Sequence, residues 1–383
     1  MSERRTAEAS QVRTVPGVVD LGVGQPQDAI LPADLMARAM TTAAATRQLR
    51  GLPYGAERGD SYLRSTLADF LTERYGLAVD GERLLISNGN SHAIDLCCAA
   101  LTEPGDVIFV EEPTYFLALG IFADHGLRVI GIPVDDDGLR IDALEAKLEE
   151  HVPRLLYTIP TGHNPTGGSM PTERRRRLVE LAREHGFLVL ADEVYQLLHY
   201  TAPVPEPLAA HIESGVVLSL GTFSKILAPG LRLGWIQASE ELLGRLAGRG
   251  QLISGGGFNP FTSVLVAPLL EDGGVAEYVD EVRGILRGRI DAMDDALQEH
   301  LPPGVTYRRP DAGYFFWLRF PDAVDTTAIL PAALANGVGF QPGPVFSTDG
   351  GHTNCLRLSF AYYSDPDIRQ GIDILCRTFT HVQ

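Results

Sequence analysis

Lysine is almost missing from this 383-residue chain. Of its 32 basic residues only Lys147 and Lys225 are lysine, and the other 30 are arginine. Positive charge is also short overall: 32 Lys+Arg against 49 Asp+Glu gives a net charge of −17. That balance argues against a nucleic-acid or anionic-membrane partner, which would need a basic face. Cysteine is limited to Cys97, Cys98, Cys355 and Cys376. They show no metal-ligand spacing, and an adjacent pair is poorly placed to bridge, so a reducing cytoplasm is expected and no metal is. The opening Met1-Ser2-Glu3-Arg4-Arg5-Thr6 has no apolar core, so no secretory signal is expected. One run without charge, Gln251–Leu270, is long enough for a membrane helix. It is interrupted by Gly255-Gly256-Gly257, Asn259, Pro260 and Pro268, which makes it a poor span.

What is present is ordinary globular material, 45% hydrophobic and 21% charged, in a length that predicts two or three domains and a substantial core. A chain-wide preference for arginine accounts for the basic count and makes each surviving lysine informative. Lysine can lose its proton and act as an amine nucleophile, whereas guanidinium stays charged. Lys147 lies in Leu144-Glu145-Ala146-Lys147-Leu148-Glu149-Glu150, a charged helical face. Lys225 follows the apolar run Val216–Leu220 and the small-residue turn Gly221-Thr222-Phe223-Ser224, so it is the lysine left to explain.

Between residues 50 and 250 short apolar runs alternate with amphipathic stretches. Strands are expected at Leu84–Ser87, Val107–Glu111, Arg128–Val134, Leu155–Ile159, Phe187–Ala191, Val216–Leu220 and Arg232–Ala238. Helices are expected at His92–Leu101, Ile141–Glu150 and Thr172–His185. Such alternation predicts an α/β fold with a mostly parallel sheet flanked by helices. After residue 282 the pattern shifts to a smaller α+β unit. It has a long helix (Glu277–Leu297), strand segments Tyr314–Phe320 and Cys355–Phe360, and a last helix near Asp365–Thr378. The expected division is an N-terminal segment at 1–49, a large domain at 50–282 and a small domain at 283–383.

In parallel sheets ligands sit outside the carboxyl ends of the strands, so the loops there matter most. After the first strand comes Asn88-Gly89-Asn90-Ser91-His92, small residues opening a helix whose N–H groups can face an anion. After Leu155–Ile159 comes Pro160-Thr161-Gly162-His163-Asn164-Pro165-Thr166-Gly167, read either as an ordinary Asn-Pro turn or as an amide aimed at a ligand. Asp192 ends an apolar strand, with Tyr195 three residues on. It is either a helix cap or a desolvated carboxylate that expects donors. Thr222, Ser224 and Arg232, set around Lys225, could hold a phosphate, each charge-assisted contact contributing about 1.5–3 kcal/mol. An amine, an isolated carboxylate, an Asn/Tyr pair and a phosphate cradle are what pyridoxal 5′-phosphate requires.

The order Asn-Pro-Thr-Gly, Asp-x-x-Tyr, Thr-x-Ser-Lys-x-x-x-Pro-Gly-x-Arg-x-Gly resembles the fold type I pyridoxal-phosphate aminotransferases, the aspartate aminotransferase superfamily. Ser224–Trp235 is most similar to the α-aminoadipate aminotransferase branch, which also supplies the effector domains of MocR-type regulators. The resemblance implies Lys225 as imine lysine and proton carrier, Asp192 at the pyridine nitrogen, and Asn164 and Tyr195 at the ring hydroxyl. It implies Thr222, Ser224 and Arg232 at the phosphate with Asn90, Ser91 and His92, and Tyr115 stacked on the ring. Tyr54 would reach the partner subunit's phosphate, implying a homodimer. Arg357 would grip the substrate carboxylate, with Gly24 and Asn164 lining the substrate pocket.

Three departures carry expectations. His92 stands where relatives often have glutamine. Gly162-His163 replaces bulkier residues and is expected to widen the site. Gly24-Gln25-Pro26-Gln27-Asp28 holds no arginine for a second carboxylate, so dicarboxylate specificity is not expected. The implied activity is amino transfer between an L-amino acid and a 2-oxo acid. The alternatives are elimination, replacement or cyclisation of an amino acid in a specialised biosynthetic pathway. A non-catalytic sensing domain is disfavoured, because only about 20 residues precede the family's N-terminal segment, too few for a DNA-binding module.

Overall fold

The computed structural model describes residues 16–45 and 51–382. The rest of the expected N-terminal segment, 1–15 and 46–49, lies outside the described residues. Eight strands form the main sheet, in the spatial order Leu84–Ser87, Gly234–Ala238, Val217–Thr222, Leu188–Asp192, Leu155–Thr158, Val107–Glu112, Arg128–Asp135 and Gly138–Leu139. The five strands from Val217–Thr222 across to Arg128–Asp135 run parallel, and the flanking pairs are antiparallel. The inner strands read as continuous apolar runs because helices cover both faces, and Leu155–Thr158 and Val217–Thr222 are buried at every residue.

The chain proceeds outward from Val107–Glu112 to Arg128–Asp135, then returns to place Leu155–Thr158 on the other side. That reversal opens a crevice at the carboxyl ends of the sheet, where α/β proteins bind ligands. A second, four-stranded antiparallel sheet contains Thr306–Tyr307, Phe315–Arg319, Cys355–Ser359 and Gln341–Pro342. The helix Gly274–His300 spans residue 282 without a break. Near the N-terminus, Val19–Asp20 pairs in parallel with Val338–Gly339, which ties the first described residues to the second sheet's side of the molecule. No described helix is long and apolar enough to cross a membrane.

Candidate active site

Asp192 closes the Leu188–Asp192 strand with its carboxylate buried. It caps no helix. Its Oδ1 accepts a hydrogen bond from Asn90 Nδ2 at 2.6 Å and its Oδ2 one from the Tyr157 hydroxyl at 2.7 Å. Burial pushes its pKa up to about 6, against the pull of these two donors and of the Lys225 charge. Lys225 follows the neighbouring Val217–Thr222 strand. Its Nζ donates to the Gly24 carbonyl at 3.3 Å and lies 5.4 Å from the Tyr314 ring centre. Burial, joined by the Arg357 charge, brings this amine down to about 8 from the ordinary 10.5, although Asp192 opposes the shift. At neutral pH Lys225 is therefore far closer to its nucleophilic form than a surface lysine.

The same cleft is walled by Asn90, Ser91, Tyr115, Asn164, Tyr195, Thr222, Ser224 and Arg232. The Thr222 hydroxyl lies 3.0 Å from that of Ser224 and 3.1 Å from the Leu233 carbonyl. Arg232 sits exposed at the mouth, its Nη2 donating to the Asn88 carbonyl at 3.1 Å. The Tyr195 ring stands 5.2 Å from that of Tyr314, and burial pushes its hydroxyl well above the ordinary range.

The opposite end is built around Arg357 on the Cys355–Ser359 strand, only 1% exposed. Its Nη1 donates to Asn164 Oδ1 at 2.9 Å and its Nη2 to the Gly22 carbonyl at 2.8 Å. The guanidinium lies over the rings of Phe315 (4.1 Å) and Phe346 (4.9 Å). Its Nε is buried and has no hydrogen-bond partner among the described residues. Burial brings Arg357 down to about 10, with Tyr195, Tyr115 and Asp20 opposing the shift. Gly24 is pressed against this centre: a Cβ there would stand 3.2 Å from Phe315 and 3.5 Å from Arg357 Nη2.

Several positions differ from the sequence expectation. The Asn90 side chain, expected on the phosphate side, is turned onto Asp192, because the helix it opens starts beside that strand end. The His92 ring does not wall the cleft. It packs edge-on against Phe258 at 4.3 Å, and its Nδ1 accepts from the Asn88 N–H at 3.3 Å. Tyr54 is not among these: its expected contact is with the partner's phosphate, and on this chain it is 89% exposed. Gly162 and His163 do not widen the site. Gly162 has φ of 57°, and a Cβ there would meet Gly313 N at 2.7 Å, so the backbone approach demands glycine. The His163 ring is buried, 3.1 Å from the Glu111 carboxylate and away from the cleft. Residues missed in the sequence are Tyr157, Gly22, Phe315 and Phe346. Tyr157 alone left a signal: its hydroxyl lies inside an apolar strand, where burial obliges it to find a partner.

The family model for aminotransferase class I and II matches residues 16–375. The chain belongs to this family. The aminotransferase is 35% identical over 366 residues to aromatic-amino-acid aminotransferase 1 of Thermococcus litoralis, covering 94% of this chain and 88% of that one. It is 32% identical to the 2-aminoadipate transaminase of Thermus thermophilus, over 94% and 90% of the two chains. The crystal structure of Pyrococcus horikoshii kynurenine aminotransferase superposes with a TM-score of 0.90 at 32% identity, covering 96% of this chain and 91% of that one.

The donor set of the aminotransferase cleft fits pyridoxal phosphate. An amine at about 8 lies in the same cleft as a carboxylate whose hydrogen-bond donors among the described residues are neutral, so that carboxylate still has a charge to share with a protonated ring nitrogen. The hydroxyls of Ser91, Thr222 and Ser224 and the guanidinium of Arg232 share a wall of the same cleft and can take a phosphate.

Proposed function

We propose that this aminotransferase moves the amino group of a monocarboxylic L-amino acid to a 2-oxo acid, with Lys225 as the cofactor-bearing amine and proton carrier. Pyridoxal phosphate supplies the aldehyde and the electron-accepting ring. Asp192 keeps the ring nitrogen protonated, and Tyr157 and Asn90 hold Asp192 as the anion that this requires. Asn164 and Tyr195 orient the ring hydroxyl, and Tyr115 covers the ring. Ser91, Thr222, Ser224 and Arg232 take the phosphate. Arg357 grips the substrate carboxylate, which brings the α-hydrogen to Lys225. Lys225 Nζ takes that proton and later returns it, work that typically contributes ~10²–10⁴-fold. The observation that carries the reading is a low-pKa amine sharing one cleft with a buried carboxylate that has no ion-pair partner among the described residues.

The active unit in this reading is a cytoplasmic homodimer. Leu52, Tyr54, Ile253 and Phe261 are exposed large side chains, and the segment 51–59 packs closely on 256–261. Such a surface is expected at a subunit interface, with Tyr54 reaching the partner's phosphate site. Four buried, free thiols suit a reducing compartment.

The test is the near-visible absorbance of protein given pyridoxal phosphate, for wild type and Lys225→Ala, with a panel of L-amino acids and a 2-oxo acid acceptor. A band present only in wild type, bleached by particular amino acids, with one new 2-oxo acid formed per acceptor consumed, is expected. Bleaching with ammonia release and no acceptor consumption would replace transfer by elimination.

A further inference from the structure

We propose that Asp20 is the positioning residue behind Arg357, holding the Gly22 carbonyl against the guanidinium and supplying its counter-charge from one residue away. The inference rests on the reading of Arg357 as the substrate-carboxylate grip.

The connection is short. The Gly22 carbonyl accepts from Arg357 Nη2 at 2.8 Å, and the Gly22 N–H donates to Asp20 Oδ1 at 2.9 Å. Asp20 has little freedom to turn elsewhere. A Cβ on Gly339 would stand 2.5 Å from its Oδ1 and a Cβ on Gly22 2.9 Å, so the carboxylate is walled by backbone that only glycine allows. The Asp20 N–H donates to the Tyr363 hydroxyl at 3.0 Å. On the far side, Ser359 N–H, two residues beyond Arg357, donates to the Leu21 carbonyl at 2.6 Å. Residues 19–22 and the Arg357 strand are thus tied together on both sides of the guanidinium.

Burying a guanidinium is costly unless a negative charge lies nearby. A carboxylate in direct contact would occupy the fork that a substrate carboxylate must fill. Placing the charge one residue back avoids that competition. Among the groups that hold up the Arg357 charge, Asp20 is the carboxylate and the others are tyrosines. Burial raises the Asp20 carboxyl, and the Gly22 N–H and Arg357 pull it back down.

The experiment uses the cofactor-loaded enzyme and the L-amino acid with the highest kcat/KM in a twenty-member panel, beside the amine that lacks its carboxylate. Asp20→Asn keeps the shape and an acceptor for Gly22 but removes the charge. Asp20→Ala removes both. We expect KM for the amino acid to rise about tenfold in Asp20→Asn and further in Asp20→Ala, the size of one lost charge-assisted contact. The kcat should stay within about threefold and the slow reaction of the amine should be unchanged, a split that a general loss of packing would not give. Arg357→Gln is the reference. If it raises KM while both Asp20 variants keep the wild-type value, the role of Asp20 is overturned. A loss shared equally by amino acid and amine overturns it too. If Arg357→Gln itself leaves KM unchanged, the reading of Arg357 has failed instead.

Discussion

At the Asp192 end of the cleft a buried anion is met by two neutral donors; at the Arg357 end a buried cation is met by two neutral acceptors. The two ends differ in where those partners come from. Tyr157 is on the strand beside Asp192, in register with Leu190, and Asn90 opens a helix packed on the same sheet. Asp192 is therefore held by one hydrogen-bonded framework. Arg357 draws on the loop after Leu155–Thr158 for Asn164 and on the N-terminal segment for Gly22, some 335 residues away in sequence. Its Nε keeps no partner among the described residues. In the proposed reading, the charge that serves a resident cofactor is fixed once by a rigid sheet, and the charge that serves a transient substrate is assembled from separate segments and keeps donor capacity in reserve.

The sharpest way to break this comparison is Lys225→Arg. The chain accepts arginine at 30 positions, so the fold should survive, while an amine that can lose its proton is gone. Activity should fall by ~10²–10⁴-fold from the lost proton transfer alone, and raising the pH should not restore it, as a steady-state assay with a coupled acceptor would show. Retained turnover would mean the amine chemistry lies elsewhere. Next in size is Arg357→Gln. Two charge-assisted contacts to a substrate carboxylate are lost, so kcat/KM should fall ~10²–10³-fold, mainly through KM. A loss carried by kcat would place Arg357 at the reacting atoms and erase the division between the two ends.

A smaller effect comes from Tyr157→Phe. It removes one of the two donors that favour the ionised form of Asp192, so the carboxyl should titrate above its present value of about 6. The weaker anion should lower cofactor affinity and kcat/KM by ~10–100-fold, measured by equilibrium dialysis and initial rates. An unchanged affinity would leave Asn90 as the sole effective donor.

The two ends were not equally legible in the sequence. Five inner strands and their loops were readable because a doubly covered strand is a continuous apolar run, and the loop residues that follow it carry the chemistry. Asp192, Asn164 and Lys225 fall in such loops or at strand ends. The partners of these residues were less visible. Asn90 was expected at a phosphate, and only the packing of its helix beside Asp192 turns the amide onto the carboxylate. Gly162 looked like extra room and proved to be a backbone contact with Gly313, which no local pattern encodes. At the Arg357 end, Gly22, Phe315 and Phe346 meet only through tertiary pairing, and glycine and phenylalanine carry no chemical label in a sequence.

The smallest predicted effect concerns stability. The pKa of Lys225 is lowered from 10.5 to about 8 in the folded apoenzyme, so the charged amine is disfavoured on folding. The sign follows from proton binding: between pH 8 and 10.5 the unfolded chain holds a proton at Lys225 that the folded chain releases, so stability rises with pH across that window. Below pH 8 the full cost is present. Lys225→Met should therefore stabilise the apoenzyme at pH 7 by about 1–2 kcal/mol, less than the full shift implies because the side chain is only partly buried. The gain should fade as the pH approaches 10.5, as urea denaturation at a series of pH values would show. Lys147→Met, on an exposed helix face where Nζ meets Glu150 at 2.8 Å, should change stability by less than ~0.5 kcal/mol. With pyridoxal phosphate present the difference should narrow or reverse, because wild type adds the Lys225 bond to the contacts that both proteins make with the cofactor and so gains more stability from binding. A Lys225→Met apoenzyme no more stable than wild type at pH 7 would mean that the cleft already solvates the amine, and the Asp192 end would then lose the strained cation that distinguishes it from an ordinary polar pocket.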